Sequence, residues 1–199
     1  MQQSCYHINE IFYSLQGEGF WTGRPAVFVR FSGCNLKCPF CDTDHSSYKQ
    51  LSLDEIVCSI NLYKTNFVVL TGGEPSLFVD EQFISALHKA GKYVAIETNG
   101  THTVPSNIDW ITLSPKDSFV ENAKVILTQA NEVKMVYNGV NDKELMAYST
   151  FNSEYFYVQP CDFNDKKKNK EILLKSVEFC KDNPQWSLSL QTQKLIGVR

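Results

Sequence analysis

Three cysteines within eight residues constrain this chain more than any other feature. They occur in the run Cys34-Asn-Leu-Lys-Cys38-Pro-Phe-Cys41. Three thiolates at this spacing can bind three irons of a four-iron cluster and leave the fourth iron open to another ligand. Structural zinc sites instead have four protein ligands, which usually come from C-x-x-C pairs separated by a longer loop. The run therefore favours an iron-sulfur cluster with one open iron.

The composition indicates a globular, ordered protein. Of its 199 residues, 43% are hydrophobic and 13% are aromatic, which is enough for the sizeable core of one domain. The net charge of -3 gives no whole-protein basic field that would attract nucleic acid, so a small-molecule substrate is expected. The first ten residues lack the pattern of a signal peptide, and no stretch approaches the ~20 apolar residues of a membrane span. We predict a cytoplasmic protein.

The four cysteines outside this run carry less information. The cytosol keeps thiols reduced, so seven cysteines in such a chain do not predict a disulfide framework. Cys58 and Cys180 fall within helical patterns and are predicted to be buried small hydrophobic residues. A zinc hypothesis stays open, in which Cys161, Cys58 or His45 would supply a fourth ligand.

Strand-like and helix-like patterns alternate from about residue 24 onward, which indicates an α/β fold. Ser52 and Glu55 form a capping-box pattern at the start of one helix. Further helices are predicted at about 80–90 and 170–181, and the lysine-rich run 166–170 is interpreted as a solvated loop. The strand-like runs are Pro25–Phe31, Phe67–Leu70, Tyr93–Glu97, Trp110–Leu113, Val133–Val136, Tyr155–Val158 and Trp186–Leu190.

The segment between Glu97 and Trp110 is too short for a full crossover helix. We therefore predict an abbreviated, partial TIM-like barrel of about six parallel strands with reduced helices. Polar segments follow four of the strands, and in parallel α/β folds the carboxyl ends of strands converge on a ligand site. These segments are 71–75, 97–100, 114–116 and 159–162, and we expect them to line one site.

Together with the cysteine run, Thr71-Gly-Gly-Glu-Pro75 resembles the radical S-adenosylmethionine (radical SAM) enzymes. The resemblance implies that Phe40 packs against the adenine of SAM. It also implies that the backbone and acid of the Gly-Gly-Glu segment receive the ammonium group of SAM, since glycines permit close backbone approach. Glu97-Thr-Asn-Gly100 is interpreted either as a cofactor contact or as a simple turn.

A narrower resemblance rests on Phe12-Tyr-Ser-Leu-Gln-Gly-Glu-Gly19, on Arg30 and on Cys41-Asp-Thr43. With these segments the chain closely resembles the 7-carboxy-7-deazaguanine synthases, the radical SAM enzymes of the queuosine precursor pathway. The resemblance extends from Phe12 to the closing Ser-Leu-Gln-Thr-Gln-Lys. It implies a carbon-nitrogen lyase that converts 6-carboxy-5,6,7,8-tetrahydropterin to 7-carboxy-7-deazaguanine and releases ammonia. A 5'-deoxyadenosyl radical would abstract hydrogen from the substrate before the ring contracts.

The resemblance also implies which residues would bind the cofactors and the substrate. A 4Fe-4S cluster, SAM and Mg²⁺ would be the cofactors. Arg30 would pair with the substrate carboxylate, for which its bidentate fork is well suited. The metal ligands would be Cys34, Cys38 and Cys41 for the cluster and Thr43 for magnesium. Substrate would contact Leu15, Gln16, Gly17, Arg30, Thr71 and Arg199. SAM would contact Phe40, Cys41, Asp42, Gly73, Glu74, Ser114, Pro115, Lys116, Gln159, Pro160, Cys161 and Asp162.

In this interpretation residues 1–199 form a single radical SAM core domain, with a substrate-binding segment at 1–23 and a cluster loop at 32–45. The partners would be the small pterin, an external electron donor and a second copy of the chain in a homodimer, without direct nucleic-acid or membrane contact. Where the family commonly reads Gln-Thr-His-Lys, this chain has Gln191-Thr-Gln-Lys194.

Two other functions stay open. A glycyl-radical enzyme activase shares the cysteine spacing and the Gly-Gly-Glu segment but needs neither Arg30 nor Thr43. A non-catalytic zinc-binding module would use Cys161 as its fourth ligand.

Overall fold

The computed structural model describes residues 5–41, 43–44 and 47–199. Its nine strands belong to one sheet with the spatial order β3-β1-β2-β4-β5-β6-β7-β8-β9. The strands are β1 (Cys5–Leu15), β2 (Pro25–Phe31), β3 (Lys49–Ser52), β4 (Phe67–Gly72), β5 (Tyr93–Thr98), β6 (Trp110–Leu113), β7 (Glu132–Tyr137), β8 (Tyr155–Pro160) and β9 (Trp186–Leu188).

Seven of these strands run parallel, from β2 through β4 to β9, while β1 pairs antiparallel with both β2 and β3. The predicted α/β class and the mostly parallel sheet are confirmed, with seven parallel strands where about six were expected. No helix lies between β5 and β6 within the described residues, as the short segment predicted. The sheet is therefore an open α/β sheet with few covering helices.

Besides a short 3₁₀-helix at Pro75–Leu77, five α-helices accompany the sheet within the described residues. They are α1 (Leu53–Asn61), α2 (Glu81–Lys89), α3 (Asp142–Tyr148), α4 (Lys166–Asp182) and α5 (Thr192–Ile196). The capping box at Ser52 and Glu55 is present, with both reciprocal hydrogen bonds formed. Among the described residues, no helix is long and apolar enough to span a membrane.

Alternate residues of each strand point to opposite faces of the sheet. On one face, Val27, Val29 and Phe31 pack with residues of α1 and α2 in a large apolar core. On the other face, Phe28 packs with Phe67, Val69, Ala95 and Trp110 in a second cluster. We call these the helix face and the cavity face, because the functional cavity described below opens on the second one.

Strand β1 was missed by the sequence analysis, in which Pro25–Phe31 was the first strand. The reason is a β-bulge. Ile8 pairs with Phe31 and Glu10 with Arg30, so Asn9 is an extra residue that has no counterpart on β2. A bulge shifts the alternation of side chains by one position, so the strand does not show a continuous two-residue period.

Two further predictions are wrong. Residues 166–170 are the first turns of α4, not a loop, because Asp165 caps the helix by accepting hydrogen bonds from the backbone of Lys167 and Lys168. Cys58 is exposed on α1 although it was expected to be buried, and Cys180 is half-buried against the core beneath α4. The covered face of α1 consists of Leu53, Ile56, Val57 and Ile60, and Cys58 lies outside it.

Candidate active site

A cavity of about 630 Å³ opens on the cavity face of the sheet, within the usual size range of ligand sites. Its wall brings together the segments that follow β2, β4, β5, β6 and β8, together with the loop after β1 and the chain end. Every described residue predicted to bind a metal, SAM or substrate lies on this wall except Pro115, which is buried outside it. Asp42 lies outside the described residues, as does His45 of the zinc hypothesis.

The cluster loop follows β2 directly and presents its three cysteines to the cavity. Cys34 and Cys41 are exposed, and Cys38 is half-buried. Burial raises the pKa of the Cys34 and Cys38 thiols. Phe40, between the last two cysteines, packs edge-on against Phe119 with ring centroids 4.7 Å apart. The loop therefore places three accessible thiols and one aromatic ring at the mouth of the cavity.

The Gly72-Gly73-Glu74 segment is bound to the base of the cluster loop. Gly73 donates its N–H to the carbonyl of Phe31, and Glu74 donates to the carbonyl of Gly33. A Cβ at Gly73 would lie 1.8 Å from the Gly33 oxygen, so only glycine fits there. The two segments that resemble the cluster and SAM sites are thus one continuous structural unit.

The side chain of Glu74 is buried and already engaged. Its carboxylate oxygens accept hydrogen bonds from Thr98 Oγ1 and from the backbone N–H of Asn99, each at 2.7 Å. Glu74 therefore holds the end of β5 against the end of β4. That the same acid also receives the SAM ammonium stays a prediction.

The other two predicted SAM segments lie on the opposite wall. Lys116 Nζ donates to the carbonyl and the hydroxyl of Ser114, at 2.5 and 2.6 Å, and burial lowers the pKa of this lysine. Burial raises the pKa of the Cys161 thiol to about 11. Asp162 accepts hydrogen bonds from the Asn164 backbone and from Asn169 and Lys194, which lower its pKa to about 2.

A network of charged and amide side chains around Lys134 lines the cavity. No role was predicted for Lys134 from the sequence. Lys134 Nζ lies 2.7 Å from Glu18 and 3.5 Å from Glu97, and its side chain is only 5% exposed. Gln16 donates to Glu97 at 2.8 Å. Gln191 and Gln193 both donate to Glu18, at 3.0 and 3.1 Å. We call this set the Lys134 network.

Contacts within the Lys134 network shift the pKa values of Glu18 and Lys134. Lys134 and the two glutamines outweigh burial and lower the pKa of Glu18 to about 2. The pKa of Lys134 is raised, because Glu18, Glu97 and Glu132 outweigh its own burial. Burial raises the pKa of Glu132, which holds the loop after β1 by accepting the N–H of Phe20. Glu18 and Lys134 are therefore charged at neutral pH.

A second group of charges lies near Thr43. Arg30 Nη1 donates to Thr43 Oγ1 at 3.3 Å, and Arg30 Nε donates to Glu10 at 3.0 Å. Glu10 also accepts a hydrogen bond from Arg199, and Ser14 donates to the Arg199 carbonyl. The last residue is therefore fixed beside the predicted substrate arginine.

The residues present fit an open-iron cluster with SAM. Three cysteines share one loop at the mouth, and a glycine that tolerates no side chain adjoins them. Cys58, offered by the zinc hypothesis, lies on α1, which packs on the helix face of the sheet away from the cavity. Cys161 does line the cavity. Within the described residues, no three His, Cys, Asp or Glu side chains are grouped so that they could hold one metal ion.

The functional candidates that sequence reasoning missed are Glu10 and Lys134, whereas Glu18 entered only as part of segment 12–19, on which the family resemblance rests. Lys134 alternates with apolar residues in a buried strand, and a lysine in such a position was the available signal. Glu10 gave no such signal, because its orientation depends on the bulge.

Comparison with known proteins identifies relatives along nearly the whole chain. The Radical SAM superfamily profile matches residues 28–120. The 7-carboxy-7-deazaguanine synthase of Bacteroides thetaiotaomicron is 49% identical over 96% of this chain and 98% of its own length. That of Burkholderia multivorans is 41% identical over 97% and 99%. The crystal structure of QueE from Escherichia coli superposes with a TM-score of 0.77 and 30% identity, covering 94% of this chain and 93% of that one.

These matches confirm both resemblances seen in the sequence, and they favour neither the glycyl-radical activase nor the zinc module. The chain therefore belongs to the 7-carboxy-7-deazaguanine synthase family of the Radical SAM superfamily.

Proposed function

We propose that the protein converts 6-carboxy-5,6,7,8-tetrahydropterin to 7-carboxy-7-deazaguanine with release of ammonia, as a radical SAM carbon-nitrogen lyase. One observation carries the proposal beyond family membership. A single cavity contains a three-cysteine loop at its mouth, an arginine beside Thr43 and a buried network of amides, carboxylates and ammonium. Such a cavity offers separate contacts to an iron-sulfur cluster, a carboxylate and a polar heterocycle.

Cys34, Cys38 and Cys41 would hold the 4Fe-4S cluster, and the segments at 73–74, 114–116 and 159–162 would hold SAM. When bound, the cluster and SAM supply the 5'-deoxyadenosyl radical that takes a hydrogen atom from the substrate. Gly73 lines the cavity, where it would present its backbone to the ligand. Thr43 would ligate Mg²⁺, a hard cation that takes few protein ligands and oxygen donors.

The chain's own residues would bind and orient the substrate. Arg30 would pair with the carboxylate, with Arg199 close by and Thr71 on the adjacent strand. Leu15, Gln16 and Gly17 lie on the cavity wall, where they would border the edge of a pterin ring. Gln16 is positioned by its hydrogen bond to Glu97. This arrangement would fix one orientation of the ring.

The Lys134 network would keep this orientation in an environment with little water. Lys134 and Gln16 are buried, the other members are half-buried, and all of them are already hydrogen-bonded, so binding requires little reorganisation of the protein. Glu18 stays ionised at neutral pH and accepts hydrogen bonds, whereas Lys134 only donates them. Shielding of the site would protect reactive species from side reactions.

We also propose that the chain forms one radical SAM core domain over residues 1–199 and works in the cytoplasm as a homodimer that receives electrons from an external donor. Cluster thiols need a reducing compartment, which supports the location. The exposed side chains of Leu195, Ile196 and Val198 offer apolar surface to a second copy. Light scattering of the purified protein tests the dimer, and Leu195→Glu should shift it toward monomer.

The function is tested by anaerobic incubation of cluster-reconstituted protein with SAM, reductant, Mg²⁺ and the carboxytetrahydropterin, followed by mass spectrometry. We expect 7-carboxy-7-deazaguanine, and we expect its loss in Arg30→Ala with the iron content unchanged. If 5'-deoxyadenosine forms without the deazaguanine, the substrate assignment is wrong although the radical SAM chemistry stands. Colourless protein that contains zinc would contradict both.

A further inference from the structure

The bulge in β1 places two polar side chains where an unbroken strand would not. Ile8 packs on the helix face, and in a regular strand Glu10 would point to that same face. The extra residue Asn9 reverses the alternation, so Glu10 pairs with Arg30 and faces the cavity side. Bulges next to active sites commonly redirect a side chain in this way.

The redirected carboxylate is shared by two arginines from distant parts of the chain. Glu10 accepts a hydrogen bond from Arg30 Nε on β2 at 3.0 Å and another from Arg199 at the chain end. Both guanidinium groups also lie over the ring of Phe12, at 5.7 and 5.4 Å from its centroid. The side chains of Glu10 and Arg30 are about one-quarter exposed, whereas that of Arg199 is 71% exposed.

Without an acid between them, two guanidinium groups in this space would repel each other. Glu10 fixes the plane of Arg30 through Nε, while Nη1 contacts Thr43. It also restrains a long, exposed side chain at the chain end that would otherwise sample many rotamers. One acid therefore orients both cations and compensates one of their two positive charges.

The extra residue of the bulge supports the same region. Asn9 Nδ2 donates to the backbone carbonyls of Asp44 and Ser47, at 3.0 and 2.7 Å. These carbonyls belong to the segment that follows Thr43. Asn9 therefore restrains the end of the cluster loop, and Glu10, the next residue, restrains the two arginines.

We propose that Glu10 is a positioning residue for recognition of the substrate carboxylate, acting through Arg30 and Arg199. The inference rests on the proposed function in that the ligand is taken to be a pterin carboxylate. It adds that Glu10 and the β1 bulge, rather than the arginines alone, determine the geometry of the carboxylate site.

The test compares binding of 6-carboxypterin and of pterin, which lacks the carboxylate, to cluster-reconstituted protein with SAM. We expect Glu10→Gln to weaken 6-carboxypterin binding about tenfold, the usual effect of losing a hydrogen bond to a charged group, and to leave pterin binding unchanged. Glu10→Asp, which keeps the charge, should restore part of the affinity. Glu144→Gln, an exposed acid on α3, is the matched control and should bind both ligands normally.

Three results would contradict the inference, the third of them only its action through Arg199. Equal weakening of both ligands would assign Glu10 a merely structural role. Tighter binding of 6-carboxypterin by Glu10→Gln would show that Glu10 acts only as a repelling charge. In the Arg199→Ala background the effect of Glu10→Gln should shrink, and an undiminished effect contradicts action through Arg199. Because the test measures binding, it stays decisive if wild-type protein makes no 7-carboxy-7-deazaguanine, a result that would reject the proposed function instead.

Discussion

The cluster loop and the Lys134 network line the same cavity but are built in opposite ways. The loop is partly exposed, and its function rests on three thiols at fixed spacing in the sequence. The network is buried, and its members come from β5, β7, the loop after β1 and the chain end. The difference teaches that the proposed cluster site is specified locally, whereas the proposed surroundings of the substrate are specified by the whole sheet.

The largest expected effect is on the cluster loop. Cys38→Ala removes one of the three proposed cluster ligands, so we expect loss of the brown iron-sulfur absorbance and of all product. Because the loop is partly exposed, the melting temperature of the metal-free protein should hardly change. Iron analysis and thermal unfolding measure the two properties. A large drop in melting temperature would show that the loop is also structurally important, and the contrast between the two regions would fail.

The next largest effect is expected at Lys134. Lys134→Met leaves Glu18 and Glu97 buried without their cation, and removal of one partner from a buried ion pair typically costs about 3 kcal/mol or more. Urea unfolding should show this loss in free energy of unfolding. Lys175→Met is the control, since Lys175 pairs with Glu171 on the surface of α4 and should contribute about 0.5 kcal/mol or less. Equal effects at the two lysines would contradict the structural role of the network.

The pH dependence of folding stability provides a further test of the Lys134 network. The pKa of Glu18 is lowered from 4.5 to about 2 in the folded protein, so its ionised form stabilises the fold above pH 4.5. This contribution is lost as the pH falls from 4.5 toward 2, and it is worth about 3 kcal/mol at neutral pH. The raised pKa of Glu132 acts in the opposite direction. We therefore expect the stability difference between wild type and Glu18→Gln to shrink as the pH is lowered from 7 to 3.5, measured by denaturant unfolding. A difference that does not depend on pH would mean that Glu18 is not ionised in the fold.

The smallest effect is expected at Cys161. Because this buried thiol is not one of the three proposed cluster ligands, Cys161→Ala should keep a full complement of iron and lose only about 1 kcal/mol of stability. Iron analysis of Cys161→Ala and Cys38→Ala side by side compares the contributions of the two thiols to metal binding. Loss of metal from both variants would support the zinc hypothesis with four protein ligands.

Much of this site could be predicted because its chemistry is encoded in short segments. Residues 34–41 lie within a single loop, and residues 71–75 span the end of β4 and the turn after it, so spacing along the chain sets the distance in space. The α/β class followed in the same way from apolar strand runs alternating with capped helices such as α1. The position of Glu10 could not be predicted from the sequence, because one extra residue, Asn9, decides which face of the sheet Glu10 occupies.

The sequence by itself determined the parallel α/β fold, the three-thiol loop and the four strand ends that carry polar segments. These features depend on local period, spacing and capping, which act over a few residues. Only the tertiary structure decided that Glu18, Glu97 and Lys134 form one network. It also decided that the buried carboxylate of Glu74 joins the ends of β4 and β5. Finally, it decided that Arg199 and Arg30 both bind Glu10. Such contacts join residues far apart in the chain, and their geometry is set by strand order, register and one bulge.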